Sequence, residues 1–287
     1  MNEIYVKARA KINLNLEILD KRDDGYHNLK SVFQKVNLYD ELYIKKTDKD
    51  EFELQTNIDC LNNNQNIIYK AYIKMKQKYK SITGVKVVLN KKIPMQAGLG
   101  GGSTDCASFI LCMNKLFNLG LSRTEMENIA QSLGADVTPC LYNGAVFAQE
   151  IGNKITTINT NFKYYIVIIK PKISCDTKEM YNKLDKRNKE DNVNKSEKII
   201  KALVDNDIYS VANNLYNSFE TVIDDNIIIK IKNELIENKA IGSLMTGSGS
   251  CVYGIFENKE IAKQAYNNLK NKYQTYICTS YNLKLEE

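Results

Sequence analysis

Pro94-Met95-Gln96-Ala97-Gly98-Leu99-Gly100-Gly101-Gly102-Ser103-Thr104-Asp105 is the stretch on which the reading of this chain turns, because 4 of the 14 glycines in 287 residues crowd into positions 98 to 102. Before it, Val85, Val87 and Leu89 alternate as a strand does and run into Lys91-Lys92-Ile93-Pro94. After it, Cys106, Phe109, Ile110, Met113 and Phe117 recur at helical spacing. The glycines therefore join a strand to a helix. They let the backbone approach a neighbour closely, and the first turn of the helix offers unpaired N–H groups at the positive end of its dipole. An anion, above all the phosphates of a nucleotide, is the natural occupant. A Walker A loop needs lysine after its last glycine, where Ser103 stands, and the dinucleotide fingerprint needs a glycine at that same place. A third kind of phosphate loop is implied.

Working outward, Ile12, Leu14, Leu16 and Ile18, and later Leu42 and Ile44, read as strands separated by the turn Asp23-Asp24-Gly25. The spacing of Ile67, Ile68, Ala71, Tyr72 and Met75 predicts a helix over 66–79. Ser122-Arg123-Thr124-Glu125 has the capping-box pattern, and the helix it opens is expected to close at Gly134 as a left-handed cap, with Asp136 just beyond. From about residue 158 the pattern restarts: a buried strand at Tyr165 to Ile169, then a charged, Asn-rich stretch from Lys183 to Lys198 expected to be a mobile surface segment. Helical spacing follows at Ile199 to Val204, Val211 to Phe219 and Ile227 to Ile236. A strand at Cys251 to Phe256, a helix near Ile261 to Lys272 and a strand near Tyr276 to Tyr281 complete a second, α+β domain. The division predicted is 1–158 and 159–287.

Composition narrows the classes. The chain is 43% hydrophobic and 26% charged, which is that of a globular protein. Its net charge of +6 is carried almost wholly by lysine, with arginine only at Arg9, Arg22, Arg123 and Arg187. A compositional bias toward lysine explains this better than a nucleic-acid face, although a modest positive field suits a phosphorylated substrate. Seven cysteines form no C-x-x-C pair and His27 is the single histidine, which argues against a zinc site, a disulfide framework and Ser-His-Asp chemistry. The longest strong apolar stretch, Tyr164 to Ile169, is far short of a membrane span, and Met1 to Lys11 lacks the apolar core of a signal peptide. A cytoplasmic protein is expected.

A second small-residue loop, Thr246-Gly247-Ser248-Gly249-Ser250, leads into a strand. Two glycine loops from different domains are expected to enclose one ligand in a cleft. Phosphoryl transfer further needs charge stabilisation and a group that positions or deprotonates the acceptor hydroxyl. Asp136, in Gly134-Ala135-Asp136-Val137, is either a rigidly held general base or a loop aspartate making turn hydrogen bonds. Lys11, within Ala10-Lys11-Ile12-Asn13-Leu14, is either a surface lysine or the required cation. Tyr26 and His27 offer an aromatic face and an imidazole to a flat heterocycle, or His27 is structural.

Together Ala10-Lys11-Ile12-Asn13-Leu14, Arg22-Asp23-Asp24-Gly25-Tyr26-His27-Asn28-Leu29, the loop at 98–105, Gly134-Ala135-Asp136-Val137 and Thr246-Gly247-Ser248-Gly249-Ser250 resemble the GHMP kinase superfamily nearly end to end. The pairing of the first two segments is similar to the branch whose substrate carries cytidine diphosphate, in non-mevalonate isoprenoid precursor synthesis. The resemblance implies an α+β fold of two domains, the first like domain 2 of ribosomal protein S5 and the second ferredoxin-like. It implies an ATP-dependent kinase in which Lys11 and Asp136 are the catalytic pair. Pro94, Met95, Gln96, Ala97, Gly98, Leu99, Gly100, Gly101, Gly102, Ser103 and Thr104 would bind ATP, with its phosphates at the helix N-terminus after Ser103. Asn13, Tyr26 and His27 would grip the cytidine diphosphate part. Magnesium is implied with the nucleotide, without named ligands; a small-molecule substrate, no nucleic acid, no membrane, and a monomer or homodimer complete the expectation. Gln96 stands where the family usually has a small residue, Thr138-Pro139-Cys140 displaces a proline that more often follows Asp-Val directly, and Thr246 and Ser250-Cys251 vary the C-terminal glycine motif.

Overall fold

The computed structural model describes residues 1–187, 193–223 and 225–282. In chain order the elements are β1 (Glu3–Lys21), β2 (His27–Thr47), β3 (Phe52–Thr56), α1 (Ile67–Lys78), β4 (Gly84–Asn90), α2 (Gly101–Leu116), α3 (Arg123–Gln131), α4 (Val137–Cys140), β5 (Ala145–Glu150) and β6 (Lys154–Ile158). Then come β7 (Tyr165–Lys170), α5 (Thr177–Asp185), α6 (Lys195–Val204), α7 (Ile208–Asn213), β8 (Tyr216–Asn217), α8 (Asn226–Glu237), β9 (Gly242–Met245), β10 (Val252–Phe256), α9 (Lys259–Leu269) and β11 (Gln274–Thr279). The chain forms two compact units, neither continuous in sequence, and it passes from one to the other inside β1 and again inside β2.

The first unit comprises Met1–Ala10, Tyr39–Met95 and Gly100–Leu141. Here β3 pairs parallel with β4, and β4 pairs antiparallel with the second half of β2 from Glu41 to Thr47. Alternation puts Leu42, Ile44, Val85, Val87 and Leu89 on one buried face, and Ile68, Ala71, Met75, Phe109, Ile110 and Met113 of α1 and α2 supply further core residues. Asn66 caps α1 by accepting from Ile68 N, and Ser122 with Glu125 forms the full capping box of α3.

The second unit comprises Lys11–Leu38, Gln96–Leu99 and the chain from Tyr142 onward. The first half of β2 pairs antiparallel with β5, which continues to β6. β1 meets β8 in parallel through Asn15 and Leu16. A four-stranded antiparallel sheet, in the order β11-β7-β10-β9, carries α8 and α9 against its core of Val167, Ile169, Ile231, Leu235, Val252, Phe256, Ala265 and Leu269. β7 is buried without interruption from Ile166 to Ile169, so its sequence is a continuous apolar run and not an alternation.

The α+β reading holds in both units, and several local expectations need correction. Gly134 has no positive φ: α3 ends at Gln131 with Ser132 still right-handed, and the Gly134 carbonyl instead accepts from Val137 N at 3.0 Å. α2 begins at Gly101, two residues ahead of Ser103, because Gly100 at φ 67° makes the turn into it. The apolar spacing from Val211 to Phe219 is no single helix but α7, β8 and a 3-10 turn over Ser218–Thr221. Asn217 breaks it: its side chain accepts from Phe219 N and donates to the carbonyls of Met245 and Gly247, holding that chain against the second glycine loop. Of the stretch expected to be mobile, 188–192 lies outside the described residues, and both flanks are helical. Lys183 to Asp185 closes α5, and α6 starts at Lys195 because the buried Glu17 carboxylate accepts from Lys195 N and Ser196 N. β5, β6 and β9 were not singled out by the sequence patterns; their short runs carry too few alternations to register.

Candidate functional site

β1 is built with two unlike faces. Ile12, Leu14 and Leu16 point one way; Lys11, Asn13, Asn15 and Glu17 point the other, and all seven are buried. Burial of four polar side chains in a row demands partners, and the strand supplies them as a ladder. Lys11 Nζ donates to Asn13 Oδ1 at 2.8 Å, Asn13 Nδ2 to Ser31 Oγ at 2.9 Å, and Ser31 Oγ to the Asn15 carbonyl at 2.6 Å. Asn15 Nδ2 then donates to Glu17 Oε1 and Ser196 Oγ. Lys11 is therefore no surface lysine: it is 3% exposed, with its ammonium 5.1 Å from the centroid of the Phe33 ring.

Both glycine loops reach Lys11 within the second unit. Lys11 N donates to the Leu99 carbonyl at 3.0 Å. Thr246 Oγ1 accepts from Asn13 N at 3.1 Å and donates toward Asn13 Oδ1 and the Gly98 carbonyl. A Cβ on Gly98 would stand 2.0 Å from the Thr246 carbonyl oxygen, and one on Gly247 would stand 3.4 Å from Lys11 Nζ. Of the first loop, Gln96–Leu99 belongs to the same unit as Thr246–Ser250 and packs against it backbone to backbone, joined also by Cys251 N donating to the Ala97 carbonyl, whereas Gly100 onward belongs to the first unit. Their small residues serve that contact. Gln96 takes φ 51°, a left-handed conformation in a position without glycine's freedom.

The rest of the run lies in the first unit and differs in character. Gly102 is exposed, and a Cβ there would meet nothing within 4 Å. It stands in the first turn of α2, where helical N–H groups lack intrahelical acceptors, so this end of the loop fits the phosphates of a nucleotide. Thr104 is buried and its hydroxyl donates to the Arg9 carbonyl at 2.7 Å, which ties the helix start to β1. Beneath the turn, Lys91 Nζ donates to Asp105 Oδ2 at 2.7 Å and to Asp40 Oδ2, while Asp40 Oδ1 accepts from Lys92 N and Ile93 N. All three side chains are buried. Burial pushes the Asp105 carboxyl well above its ordinary range, with Lys91 pulling it down and Asp40 adding to the rise. No local sequence pattern marks this triad, since neither Lys91 nor Asp40 carries a motif.

Asp136 is exposed in the turn between α3 and α4, while Val137, Thr138, Pro139 and Cys140 after it are all buried. The backbone on which Asp136 stands is thereby anchored. At the other candidate subsite, Tyr26 is 58% exposed and His27 8%. His27 Nε2 lies 2.6 Å from Asp185 Oδ1, and its ring stacks on Tyr181 at 4.8 Å between centroids. Asp185 and Tyr181, on α5, carry no sequence signal: Asp185 lies inside the charged stretch from Lys183 to Lys198 that lacks apolar periodicity, and Tyr181 just before it. The side-chain amide of Asn13 is engaged by Lys11, Thr246 and Ser31. Among the described residues no group of three or more His, Cys, Asp or Glu side chains is placed to hold a metal ion, and no helix is long and apolar enough to cross a membrane.

With this geometry in place, comparison with known proteins defines the class. The family model for the GHMP kinases N terminal domain matches residues 66–144, and that for the GHMP kinases C terminal matches 199–275. The chain is 39% identical over 287 residues to a protein of Alkaliphilus oremlandii named 4-diphosphocytidyl-2-C-methyl-D-erythritol kinase, covering 98% of each chain. It is 40% identical to one of Acetivibrio thermocellus of the same name, over 94% of this chain and 96% of that protein. A crystal structure of 4-(cytidine 5'-diphospho)-2C-methyl-D-erythritol kinase superposes with a TM-score of 0.84 at 25% identity, covering 98% of this chain and 100% of that one. The chain belongs to the GHMP kinases and, among them, to the family of 4-diphosphocytidyl-2-C-methyl-D-erythritol kinases.

Proposed function

We propose that the chain transfers the γ-phosphate of ATP to the 2-hydroxyl of 4-diphosphocytidyl-2-C-methyl-D-erythritol, a step in isoprenoid precursor synthesis. The observation that carries this reading is the setting of Lys11, whose buried ammonium is held by Asn13 against Phe33 and beside Gly247, in a chain of this kinase family. A cation so held costs little reorganisation when charge develops on a transferring phosphoryl group.

In the reaction, the 2-oxygen forms the new bond to phosphorus, the bond from phosphorus to the ADP oxygen breaks, and the hydroxyl proton passes to Asp136 as general base. Lys11 stabilises the transferring charge. Asn13 aims Lys11 and borders the cytidine diphosphate, which Tyr26 and His27 receive. Residues Pro94 to Thr104 hold the ATP, the Gly101–Gly102 turn taking its phosphates. Magnesium is proposed to enter with the nucleotide. The functional division is proposed at 158/159. The enzyme is proposed to act in the cytoplasm, as a monomer or homodimer, without nucleic acid or membrane.

Phosphorus NMR of the product tests the reading. A new phosphomonoester on the tertiary C2 oxygen, formed with one equivalent of ADP, is the expected result; phosphorylation at another hydroxyl, or ATP hydrolysis alone, contradicts it.

A further inference from the structure

His27 stands in a constellation that the reading above leaves without a purpose. Its Nε2 is 2.6 Å from Asp185 Oδ1, and the other oxygen of that carboxylate binds Lys21 Nζ. Its ring plane is set by Tyr181, stacked at 4.8 Å with 23° between planes, and Tyr181 is itself braced edge-on by Phe219 at 5.0 Å. The imidazole is 8% exposed, and its Nδ1 has no hydrogen-bond partner among the described residues. So one ring nitrogen is committed and the other is open.

We propose that Asp185 is a specificity-determining positioning residue: by accepting the Nε2 proton of His27 it holds the imidazole in the tautomer whose Nδ1 is an acceptor, and so sets the site for a base that bears an exocyclic amine. This deepens the reading of His27 as a residue that meets the substrate base, and rests on it.

An ionised carboxylate only accepts, so the nitrogen facing it must carry the hydrogen. A neutral imidazole has one N–H, and the remaining nitrogen is then an acceptor. Hydrogen bonds from Lys21 and His27 hold the Asp185 carboxyl below its ordinary range, so it is ionised at neutral pH. Lys21 already supplies the positive charge this carboxylate calls for. An acceptor at Nδ1 pairs with the 4-amino group of cytosine and faces the lone pairs of the 4-oxo group of uracil. A site committed to one polarity rejects the analogue of the other, because a buried polar atom is left unpaired.

His27 is the only histidine in the chain, so nitrogen NMR of protein labelled with ¹⁵N-histidine reads this one ring without assignment. The expected spectrum at neutral pH is that of the Nε2–H tautomer. Asp185→Asn, whose amide can both donate and accept, should give a mixture of tautomers. Its preference for the cytidine over the uridine form of the substrate, as a ratio of kcat/KM, should fall about 10- to 100-fold, the worth of one hydrogen bond to a buried group. The KM for ATP and the kcat at saturating substrate should hold, and Asp185→Glu should restore most of the preference. An Nδ1–H tautomer or an imidazolium in the parent protein overturns the proposal, as does an Asp185→Asn variant that loses activity on both bases equally, which would mark a purely structural clasp. Failure of the parent protein to turn over the cytidine compound overturns the kinase reading and this inference with it; the tautomer, read without turnover, keeps the two failures distinct.

Discussion

Gly98 and Thr246 are 148 residues apart and meet directly, the Thr246 hydroxyl donating to the Gly98 carbonyl at 3.2 Å. Gly98 also takes φ 71°. The glycine here is required by another piece of protein, whereas Gly102, four positions on, faces open space. One run of sequence therefore carries two different demands.

Alanine at these two positions separates the demands. Gly98→Ala combines a left-handed conformation with a Cβ 2.0 Å from a carbonyl oxygen, and should destabilise the protein by about 3 kcal/mol or more. Gly102→Ala lies within a helix and should leave stability equal or up to about 1 kcal/mol higher, while raising the KM for ATP. Denaturant melts and ATP titrations on the pair check both; a Gly98→Ala protein as stable as the parent contradicts the backbone contact.

Much of this was legible in the sequence. The loop at 98–102 stood out because glycine is otherwise sparse, and α1, α3 and β7 were marked by periodicity or a capping box. Lys11 was not settled, because alternation puts it opposite Ile12 and Leu14 and so on a face that is usually wet. Here that face is buried too, and hydrogen bonds among the asparagines, Ser31 and Glu17 Oε1 run along it, leaving Glu17 Oε2 without a partner. Asp40, Lys91 and Asp185 were invisible for a related reason: their partners lie 14 to 164 residues away, where no local pattern reaches.

Removing the proposed base or its cation should affect turnover more than binding. Asp136→Asn is expected to lower kcat by about 10² to 10⁴ with the affinity for ATP nearly unchanged, the range for loss of a general base. Lys11→Met should fall in the same range, and the double variant should cost far less than the product of the two. Steady-state kinetics on the three variants decide it; equal loss of ATP affinity in Asp136→Asn would give the residue a structural or metal-binding role.

Lys91 donates to two buried carboxyl groups at once. Lys91→Met leaves Asp40 and Asp105 without their cation and should cost about 3 to 5 kcal/mol. A melting temperature lower by roughly 10 °C is expected for a chain of this size. An unchanged melting temperature would mean that the pair of carboxyls is stable without the ammonium.

Acid should reveal Glu41. Hydrogen bonds from Lys92 above all, then Tyr5 and Asn90, push its carboxyl from the ordinary 4.5 down to about 2. A folded pKa below the unfolded one means stability that is present above pH 4.5 and lost as pH falls toward 2. The gap in melting temperature between the parent and Glu41→Gln should therefore narrow across that window. A gap that stays constant would show that the charge of Glu41 contributes nothing.

The most direct test of the account is release of ADP by the purified protein with ATP and magnesium, offered in turn 4-diphosphocytidyl-2-C-methyl-D-erythritol, mevalonate, homoserine and galactose. The account predicts ADP with the cytidine compound alone. Turnover of an acceptor without the cytidine group, or none with it, would contradict the account.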